Sequence, residues 1–481
     1  MKNEVGITVT KEENMPEWYG QVVVKSELAD YSAVKGCAVI RPLGYALWEN
    51  IQNYFNKRLK KMGVKNAYFP MFIPESFFAK EAGHIEGFAP EVAWIEQKSK
   101  DEERVAVRPT SETIMYDSYS KWIRSYRDLP LLINQWCNIV RWEVKDVKLF
   151  LRSREFLWQE GHCVFATEEE CDKHVLEIIE EYRKVGEDLL AIPTFVGLKS
   201  KKETFPGAKY SYTIEQFMPD GKALQSGTSH NLGQGFAKAF DITFIGKDEK
   251  SHYPWQSSWG FSTRLLGGLI MMHGDDKGLV LPPRVAPTKV IIVPITNKKT
   301  PELNETVLAT AKRLQNELND SDIETHLDDR DNYSPGFKFN EWEMKGMPLR
   351  IELGPRDLQT NTCVAVQRNT GKKQIVAIAK IVAQVPVILD TIQQEMFDAA
   401  KQKTDAMFFT ATDYNSMVKE IQNKKFALAC HCGNAECEEK IKSETGGITT
   451  RCQTKEEVKK GDVCIKCGQP AAYKIIFARN Y

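Results

Sequence analysis

The chain has no excess of charge of either sign, and this absence limits the ways in which it could bind a polyanion. Its 65 Lys and Arg residues balance 65 Asp and Glu residues over 481 positions. A neutral chain lacks the strong non-specific attraction for nucleic acid that a basic protein has. A nucleic-acid partner would therefore have to be held by a local basic patch.

Long apolar runs are also missing. No uninterrupted run approaches the roughly 18–20 residues that a membrane-spanning helix needs, and the polar, acidic N-terminal segment contains no apolar core of a secretion signal. Neither an internal repeat nor a low-complexity segment is present. These absences predict a cytoplasmic protein with no membrane partner, and the length predicts two or three domains.

Cysteine is plentiful but unevenly spread, because six of the 11 cysteines lie between Cys430 and Cys467. Without a secretion signal, such clustering favours a metal over disulfides. Two close pairs separated by 26 residues fit a tetrahedral, structural Zn²⁺ site. The predicted ligands are Cys432, Cys437, Cys464 and Cys467. Three neighbours could each replace one of them: Cys430, His431 and Cys452. Free buried thiols are the alternative.

Apolar periodicity predicts an α+β region in the first part of the chain. Apolar residues recur at helical spacing from Leu43 to Met62, and Gly63 follows where a helix should end. Thr167 and Glu170 form a capping box ahead of a second helix. The remaining predicted elements are strands at Ala67–Phe72, Cys137–Trp142, Tyr210–Ile214 and Ala237–Phe244, and a helix from about Phe261 to Met272.

A proline-rich segment, Leu281–Pro287, marks a change of pattern and predicts a linker. Beyond it, strand-like and helix-like segments alternate, which is typical of a small α/β domain with a largely parallel sheet. A helix from about Val387 to Gln402 leads into a third region. We predict domains at 1–285, 286–405 and 406–481.

Two arginine-containing segments predict a hairpin that holds ATP. Arg141-Trp142-Glu143 would end one strand, and the segment from Arg152 to Phe156 would begin the next. Arginine suits this chemistry because its planar fork contacts phosphate and carboxylate together. Arg141 would bridge a substrate carboxylate and the α-phosphate, while Arg152 and the distant Arg264 would hold the outer phosphates. The alternative is that these arginines form surface ion pairs.

Four segments resemble the prolyl-tRNA synthetases of the archaeal and eukaryote-like form, which are class II aminoacyl-tRNA synthetases. They are RPTSE (108–112), QWCNIVRWE (135–143), FLWQEGH (156–162) and GTSHNLGQ (227–234), and the similarity runs across essentially the whole chain. The resemblance implies an α+β catalytic domain on an antiparallel sheet, an α/β anticodon-binding domain and a small α/β C-terminal zinc-binding domain. It also implies an enzyme that joins L-proline to tRNA(Pro) through prolyl-adenylate, using ATP and Mg²⁺.

The resemblance assigns roles to individual residues of this sequence. Arg141 and Arg264 would be the catalytic residues. The proline pocket would consist of Thr110, Glu112, Arg141, Trp158, Glu160, His162, Phe205 and His230. The ATP site would consist of Arg141, Glu143, Arg152, Ser153, Phe156, Gln225, Thr228, Ser262 and Arg264, with Gln225 close to Mg²⁺. Taken singly, the aromatic and histidine residues could equally belong to the core. The interval between Phe156 and Gly260 is too short for the large editing insertion of bacterial-type relatives.

Outside the catalytic domain, the resemblance implies three residues that read the anticodon: Glu343, Arg350 and Asp357. The alternative is a solvated helix face. The Pro42 segment and its helix resemble the first class II motif, which implies a homodimer whose interface buries the Leu47 and Ile51 side of the helix or its neighbours. In related enzymes the chain ends in tyrosine near the active site, which Tyr481 matches.

The sequence alone leaves two rival functions open. Another class IIa synthetase, such as the threonyl type, would need an active-site metal held by Cys and His, and no such set can be assembled from the sequence. A catalytically silent relative that only binds RNA is favoured by loss of Arg141 or Arg264, and both are present.

Overall fold

The structure is a computed structural model that describes residues 6–82, 91–99, 101–144, 146–296 and 301–481. A sheet of eleven strands dominates it. Its central strands, Leu131–Val140, Glu155–Phe165, Trp255–Ser262 and Lys222–Gly233, are antiparallel neighbours. Tyr210–Phe217 and Phe195–Leu198 continue the sheet in the same manner, and Lys65–Asn66 lies parallel at the far edge. This confirms the α+β, antiparallel-sheet prediction.

Helix Glu168–Lys184 covers one side of this sheet and begins as predicted. The Thr167 side chain accepts a hydrogen bond from the Glu170 amide, and the Glu170 carboxylate accepts one from the Thr167 amide. Val175, Ile178, Ile179 and Tyr182 are buried, and the chain continues as a π-helical turn at Val185–Leu189.

The periodic segment after Pro42 also forms the predicted helix, Pro42–Lys61. Leu47 and Ile51 are fully buried in the core of the same protomer. They cannot serve as an interface with a second copy, so that part of the homodimer prediction was wrong. The periodicity located an apolar face, but the internal sheet covers that face.

Several short elements differ from prediction. In place of a strand at Ala67–Phe72 there are two short strands, Lys65–Asn66 and Phe72–Pro74. In place of a strand at Ala237–Phe244 there is a helix, Gly235–Ala239. Short apolar runs cannot be assigned by periodicity alone, because a buried strand and a buried helical turn look alike.

Two predicted elements have shifted ends. The strand predicted at Cys137–Trp142 ends at Val140, which leaves Arg141 just beyond it. The last predicted helix of this region begins at Arg264, after Phe261 and Ser262 complete a strand. The other elements of the first part are Met15–Lys25, Ala29–Tyr31, Ala38–Ile40, Glu75–Ala82, Val105–Val107, Glu112–Trp122, Tyr126–Asp128, Phe244–Ile245, Ser251–His252 and the helix Arg264–His273.

A second sheet of five strands follows the proline-rich segment. Its order is Thr325–Leu327, Val290–Pro294, Leu349–Leu353, Thr362–Gln367 and Lys373–Ala377. Two of the four pairings are parallel and two are antiparallel, so the sheet is mixed rather than largely parallel. Its helices are Pro301–Asn319, Pro335–Met344, Pro355–Gln359, the single turn Ile378–Lys380 and the long Ile381–Met407.

The C-terminal part shares the main sheet with the first part of the chain. Its last strand, Tyr473–Asn480, runs parallel to the start of Lys222–Gly233, with Arg479 opposite Lys222. The remaining elements are Phe408–Thr410, Tyr414–Gln422, Phe426–His431, Ala435–Thr445 and Thr449–Gln453. Among the described residues, no helix combines the length and the hydropathy needed to span a bilayer.

Candidate active site and metal cluster

A cavity of about 490 Å³ lies among the central strands of the main sheet. All eight residues predicted for the proline pocket line it: Thr110, Glu112, Arg141, Trp158, Glu160, His162, Phe205 and His230. Three residues predicted for ATP, Glu143, Gln225 and Thr228, line the same cavity. Segments that are distant in sequence therefore converge on one space, with Arg141 common to both sets.

An acidic group forms the floor of the pocket. Glu160 Oε2 accepts a hydrogen bond from the Ser111 amide (3.1 Å) and lies 3.1 Å from His162 Nε2, while Oε1 accepts one from the Gln135 side chain (3.1 Å). Burial opposes ionisation of Glu160, yet the bond from His162 and these other bonds lower its pKa below its ordinary value. The same carboxylate, together with Glu112, raises the pKa of His162 against the effect of burial.

Glu112 differs from Glu160 because no cation among the described residues is hydrogen-bonded to it. Its carboxylate accepts a hydrogen bond from the Thr110 hydroxyl, and burial raises its pKa above the ordinary value of 4.5. A buried carboxylate without a bonded cation favours a positively charged ligand. The neighbouring His162 uses both ring nitrogens in hydrogen bonds, to Glu160 and Tyr116. This arrangement favours an ammonium group over a metal ion.

Aromatic rings close the side of the pocket. The rings of Phe205 and His230 lie 4.9 Å apart. Burial lowers the pKa of His230 to about 3, so the ring is neutral near pH 7 and does not repel a cation. The Trp158 indole N–H lies 3.3 Å from Cys137 Sγ, which in turn lies 3.5 Å from Glu160. Sequence reasoning missed Cys137, since a single cysteine within a strand carries no functional signal.

Three arginines lie close together, and of these Arg141 lines the cavity whereas Arg152 and Arg264 do not. The Arg141 guanidinium lies 5.6 Å from the Phe156 ring centroid. Arg264 donates to the carbonyls of Leu151 and Gln225, both at 3.1 Å. Burial, and then the charges of Arg141 and Arg152, lower the pKa of Arg264 to about 10. Cations held this close favour a polyanionic ligand.

The other residues predicted for ATP lie around this group. Phe156 packs edge-on against Trp158 with ring centroids 6.3 Å apart. Ser153 is buried, and the Ser262 hydroxyl accepts a hydrogen bond from the Arg264 amide at 3.2 Å. These three residues do not line the 490 Å³ cavity itself.

The cavity also contains residues that sequence reasoning missed. Lys199 lines it, and its ammonium group donates to Gln225 Oε1 at 2.9 Å. Burial lowers the pKa of Lys199. Glu203 and Ser258 also line the cavity. Lys199 precedes two further lysines in the sequence, so its pattern is that of an ordinary solvated basic segment.

The C-terminal cysteines converge as well. The ligand atoms of His431, Cys432, Cys437 and Cys464 all lie within 4.8 Å of one another. Cys467 Sγ lies 3.7 Å from Cys432 Sγ, and its thiol also interacts with those of Cys437 and Cys464. Of the three spare candidates only His431 joins this group. Cys430 lies beside Asp462, and Cys452 is buried beside Glu215 and Arg451.

The residues predicted to read the anticodon are separated in the structure. Arg350 is 9% exposed, and its guanidinium bonds to Glu352 (2.8 Å) and to Glu343 (3.3 Å). Asp357 lies beyond the other end of the same strand, where its carboxylate accepts a bond from the Gly354 amide at 2.7 Å. The structure therefore brings Glu343 and Arg350 together but not Asp357.

Tyr481 lies beside the arginine-bearing loop and does not line the main cavity. It lines a separate cavity of about 180 Å³ with Tyr19, Leu149 and Leu151. Leu151 directly precedes Arg152, so the C-terminal residue contacts the loop that carries the predicted phosphate ligands.

Comparisons with known proteins agree with this geometry. Residues 94–273 match the class II tRNA synthetase core domain (G, H, P, S and T), residues 289–387 match the anticodon binding domain, and residues 414–481 match the prolyl-tRNA synthetase C-terminal domain. The chain is 50% identical over 473 residues to the proline--tRNA ligase of Acetoanaerobium sticklandii, covering 98% of this chain and 97% of the relative. It is 48% identical over 480 residues to that of Cenarchaeum symbiosum, covering 99% of this chain and 100% of the relative. The chain belongs to the prolyl-tRNA synthetase (proline--tRNA ligase) family.

Proposed function

We infer that this enzyme activates L-proline with ATP to form prolyl-adenylate and then transfers the prolyl group to the 3′ end of tRNA(Pro). The observation that carries this inference is a single cavity with two ends of opposite character. One end has a buried carboxylate and aromatic walls. At the other end Arg141 and Lys199 line the cavity, and Arg264 lies close to Arg141 and Arg152 without lining it. Arg141 is common to both residue sets, as a reaction between a carboxylate and an α-phosphate requires.

The pocket end fits the chemistry of proline. The secondary ammonium of proline needs an anion and a hydrogen-bond acceptor, and Glu112 with the Thr110 hydroxyl beside it provides them. The pyrrolidine ring would lie among Trp158, Phe205 and His230, since apolar rings and aromatic walls pack well. The neutral state of His230 leaves Glu112 as the local electrostatic anchor.

At the other end, we propose that Arg141 holds the proline carboxylate and the α-phosphate in contact. Adenylate formation requires little covalent help, because positioning and charge neutralisation supply most of the rate. Arg152 and Arg264 would bind the outer phosphates, while Glu143 and Phe156 would hold adenine. Ser153, Thr228 and Ser262 would complete the site.

The enzyme uses ATP with Mg²⁺, as class II synthetases do, and Mg²⁺ supplies charge neutralisation on the phosphates. Carbonyl and carboxylate oxygens are its preferred protein ligands. Gln225 offers such an oxygen at the cationic end of the cavity, where Oε1 accepts one bond from Lys199. A second lone pair remains on that oxygen. We propose that Gln225 is the side chain closest to the ion.

We propose that Glu343, Arg350 and Asp357 contact the two guanines shared by proline anticodons. Arginine and carboxylates suit the acceptor and donor edges of guanine, respectively. Arg350 lies over the Phe339 ring at 4.2 Å, and its present partners are both carboxylates. Binding would therefore require Arg350 to exchange at least one carboxylate for a base edge.

For the C-terminal cysteines we propose a structural Zn²⁺ held by Cys432, Cys437, Cys464 and Cys467. Zinc–sulfur bonds of about 2.3 Å place tetrahedral sulfurs about 3.8 Å apart, and the distance from Cys467 to Cys432 is 3.7 Å. A ligand atom of His431 lies within 4.8 Å of those of Cys432, Cys437 and Cys464. His431 is therefore the alternative fourth ligand.

We also propose that the enzyme is a homodimer. The hairpin formed by Ala29–Tyr31 and Ala38–Ile40, which precedes helix Pro42–Lys61, exposes several apolar side chains. Tyr31 is 65% exposed and Val39 is 50% exposed, and Val34 and Tyr45 lie nearby in sequence with 54% and 44% exposure. A second copy could cover these side chains around a two-fold axis. Light scattering at micromolar concentration should give twice the 54.9 kDa chain mass, and a purely monomeric species would contradict a dimer.

The proposed activity is tested by ATP–pyrophosphate exchange measured separately with each amino acid. We expect exchange with proline in the absence of tRNA, and transfer to tRNA(Pro) when the tRNA is added. Exchange that depends on threonine, or tRNA binding without any exchange, would instead support one of the two rival functions.

A further inference from the structure

One buried ion pair joins the C-terminal part of the chain to the strand beside the cationic end of the cavity. The Arg451 guanidinium contacts the Glu215 carboxylate at 2.9, 3.0 and 3.2 Å. Arg451 is 4% exposed and Glu215 is completely buried. Both charges are therefore removed from water, and their partners must come from the protein.

A close approach of two strands makes this pair possible. Thr449–Gln453 passes over Phe195–Leu198 at Gly197, where an added Cβ would lie 2.2 Å from the carbonyl oxygen of Gln453. Glycine is the residue that permits this approach. The Gln453 side chain, two positions after Arg451, also donates to the carbonyl of Lys199 at 3.3 Å. One strand of the C-terminal part thus contacts both Glu215 and Lys199.

Glu215 lies directly opposite Gln225 in the pairing of their two strands. Two cations hold Gln225, with Lys199 donating to its side chain (2.9 Å) and Arg264 donating to its carbonyl (3.1 Å). The Glu215 charge raises the pKa of both Lys199 and Arg264, whereas the Arg451 charge lowers them; burial is the larger influence on each. Because both cations bond to Gln225, the residue opposite Glu215, the carboxylate lies close enough to compete for them.

We propose that Arg451 is a positioning residue for the nucleotide end of the active site. By occupying both oxygens of Glu215, it prevents that carboxylate from pairing with Lys199 or Arg264. Lys199 then remains on Gln225, and both cations remain available to the triphosphate. This inference rests on the proposed function, and it assigns a role in ATP binding to a residue of the C-terminal part.

The test compares Arg451→Gln, Glu215→Gln and the double variant in proline-dependent ATP–pyrophosphate exchange, with KM determined separately for ATP and proline. In Arg451→Gln the Glu215 carboxylate is left unpaired and attracts Lys199 or Arg264 away from the nucleotide. KM for ATP should therefore rise at least about tenfold, while KM for proline should change by less than about twofold. Glu215→Gln leaves no competing carboxylate and should not raise KM for ATP. The double variant should restore KM for ATP to within about threefold of the unmodified enzyme.

A purely structural pair gives a different pattern. Equal rises of KM for ATP in both single variants, parallel rises for ATP and proline, or no change in Arg451→Gln would each overturn the inference. Lys474→Gln is the matched control, because it breaks a C-terminal ion pair with Glu456 that involves neither Arg451 nor Glu215. If Arg451→Gln fails to fold, the test relies on the double variant, which lacks both charges. A KM for ATP close to that of the unmodified enzyme supports the inference, and a raised KM for ATP in the folded double variant overturns it.

Measurements on the unmodified enzyme distinguish a failure of the proposed function from a failure of the role proposed for Arg451. Absence of proline-dependent exchange would contradict the proposed function. The same variants would then be compared by equilibrium binding of ATP. Arg451→Gln should bind ATP most weakly, and the other two variants should bind it about as well as the unmodified enzyme. Equal ATP affinity in all variants would overturn the role of Arg451 under either assay.

Discussion

Four arginines of this enzyme fall into two groups. Arg141 is exposed and lines the active-site cavity, and the partly buried Arg264 lies close to it; in the described part of the chain neither forms an ion pair. Arg350 and Arg451 are buried, and each bonds to a carboxylate within 3 Å. Burying an unpaired cation is costly. The difference indicates that the first group is arranged for an anionic substrate and the second is satisfied within the protein.

The carboxylates of the pocket show the same contrast with opposite sign. Glu160 is bonded to His162 and its pKa is lowered, whereas Glu112 is bonded to a hydroxyl and its pKa is raised. Glu112 is therefore the group that gains most from a cationic ligand. We propose that Glu112 contacts the substrate ammonium and that Glu160 is held by its protein partners inside the same cavity.

The largest effect is expected from removing an unpaired arginine. Arg141→Ala should lower proline-dependent ATP–pyrophosphate exchange by at least about 10²–10³-fold with the fold intact, as for other preorganised electrostatic donors. Lysine at this position should rescue poorly, because a point charge cannot make the forked contact. Arg183→Ala is the control, since Arg183 pairs with Glu180 and Glu187 on a helix away from the cavity. Near-normal exchange by a folded Arg141→Ala enzyme would remove Arg141 from the site.

A paired arginine should behave differently. Arg350→Ala or Glu343→Ala should weaken tRNA recognition by about 1–3 kcal/mol, seen as a higher KM for tRNA or slower charging, with proline activation largely unchanged. Exchange requires no tRNA, so the two assays separate recognition from folding. An equal loss in both would show that Arg350 and Glu343 only hold their domain together.

The raised pKa of Glu112 predicts that KM for proline depends on pH. Burial raises its pKa in the free enzyme, and the proposed ion pair with the proline ammonium needs the ionised form. Proline binding should therefore be at full strength above this raised pKa, and KM for proline should rise as the pH falls through it. Glu112→Gln should have a higher KM for proline that no longer depends on pH in this range. An unmodified enzyme whose KM for proline stays constant down to the ordinary glutamate pKa would contradict the role of Glu112.

The smallest effect on catalysis is expected from disrupting the cysteine cluster. Its thiols, like Arg141 and Glu112, have no ionic partner within the described part of the protein. Cys464→Ser, or chelation, should unfold the C-terminal part at a lower temperature and reduce activity only secondarily, because metal binding supplies folding free energy. Elemental analysis should find one zinc per chain. Cys430→Ser should retain zinc, since Cys430 lies outside the cluster. Loss of zinc in His431→Gln but not in Cys467→Ser would make His431 the fourth ligand.

The sequence predicted long, periodic elements and contiguous motifs well. Helix Pro42–Lys61 and the capping box at Thr167 follow from local periodicity and side-chain chemistry, and the pocket residues came from contiguous segments that resemble a known family. The short strands between Lys65 and Pro74 were missed because two or three residues carry no periodicity. Glu215 and Arg451 are separated by 236 positions, and only the close approach at Gly197 brings them together. Such contacts depend on the tertiary structure and leave no local signal.

The central inference is that one cavity binds both halves of prolyl-adenylate, with Arg141 between them. The most direct measurement is calorimetric binding of a non-hydrolysable prolyl-adenylate analogue to the unmodified enzyme and to Arg141→Ala. We expect the substitution to weaken binding of the joined analogue by at least about 10²-fold, and to weaken binding of proline alone much less. Equal affinity of both proteins for the analogue would contradict this inference.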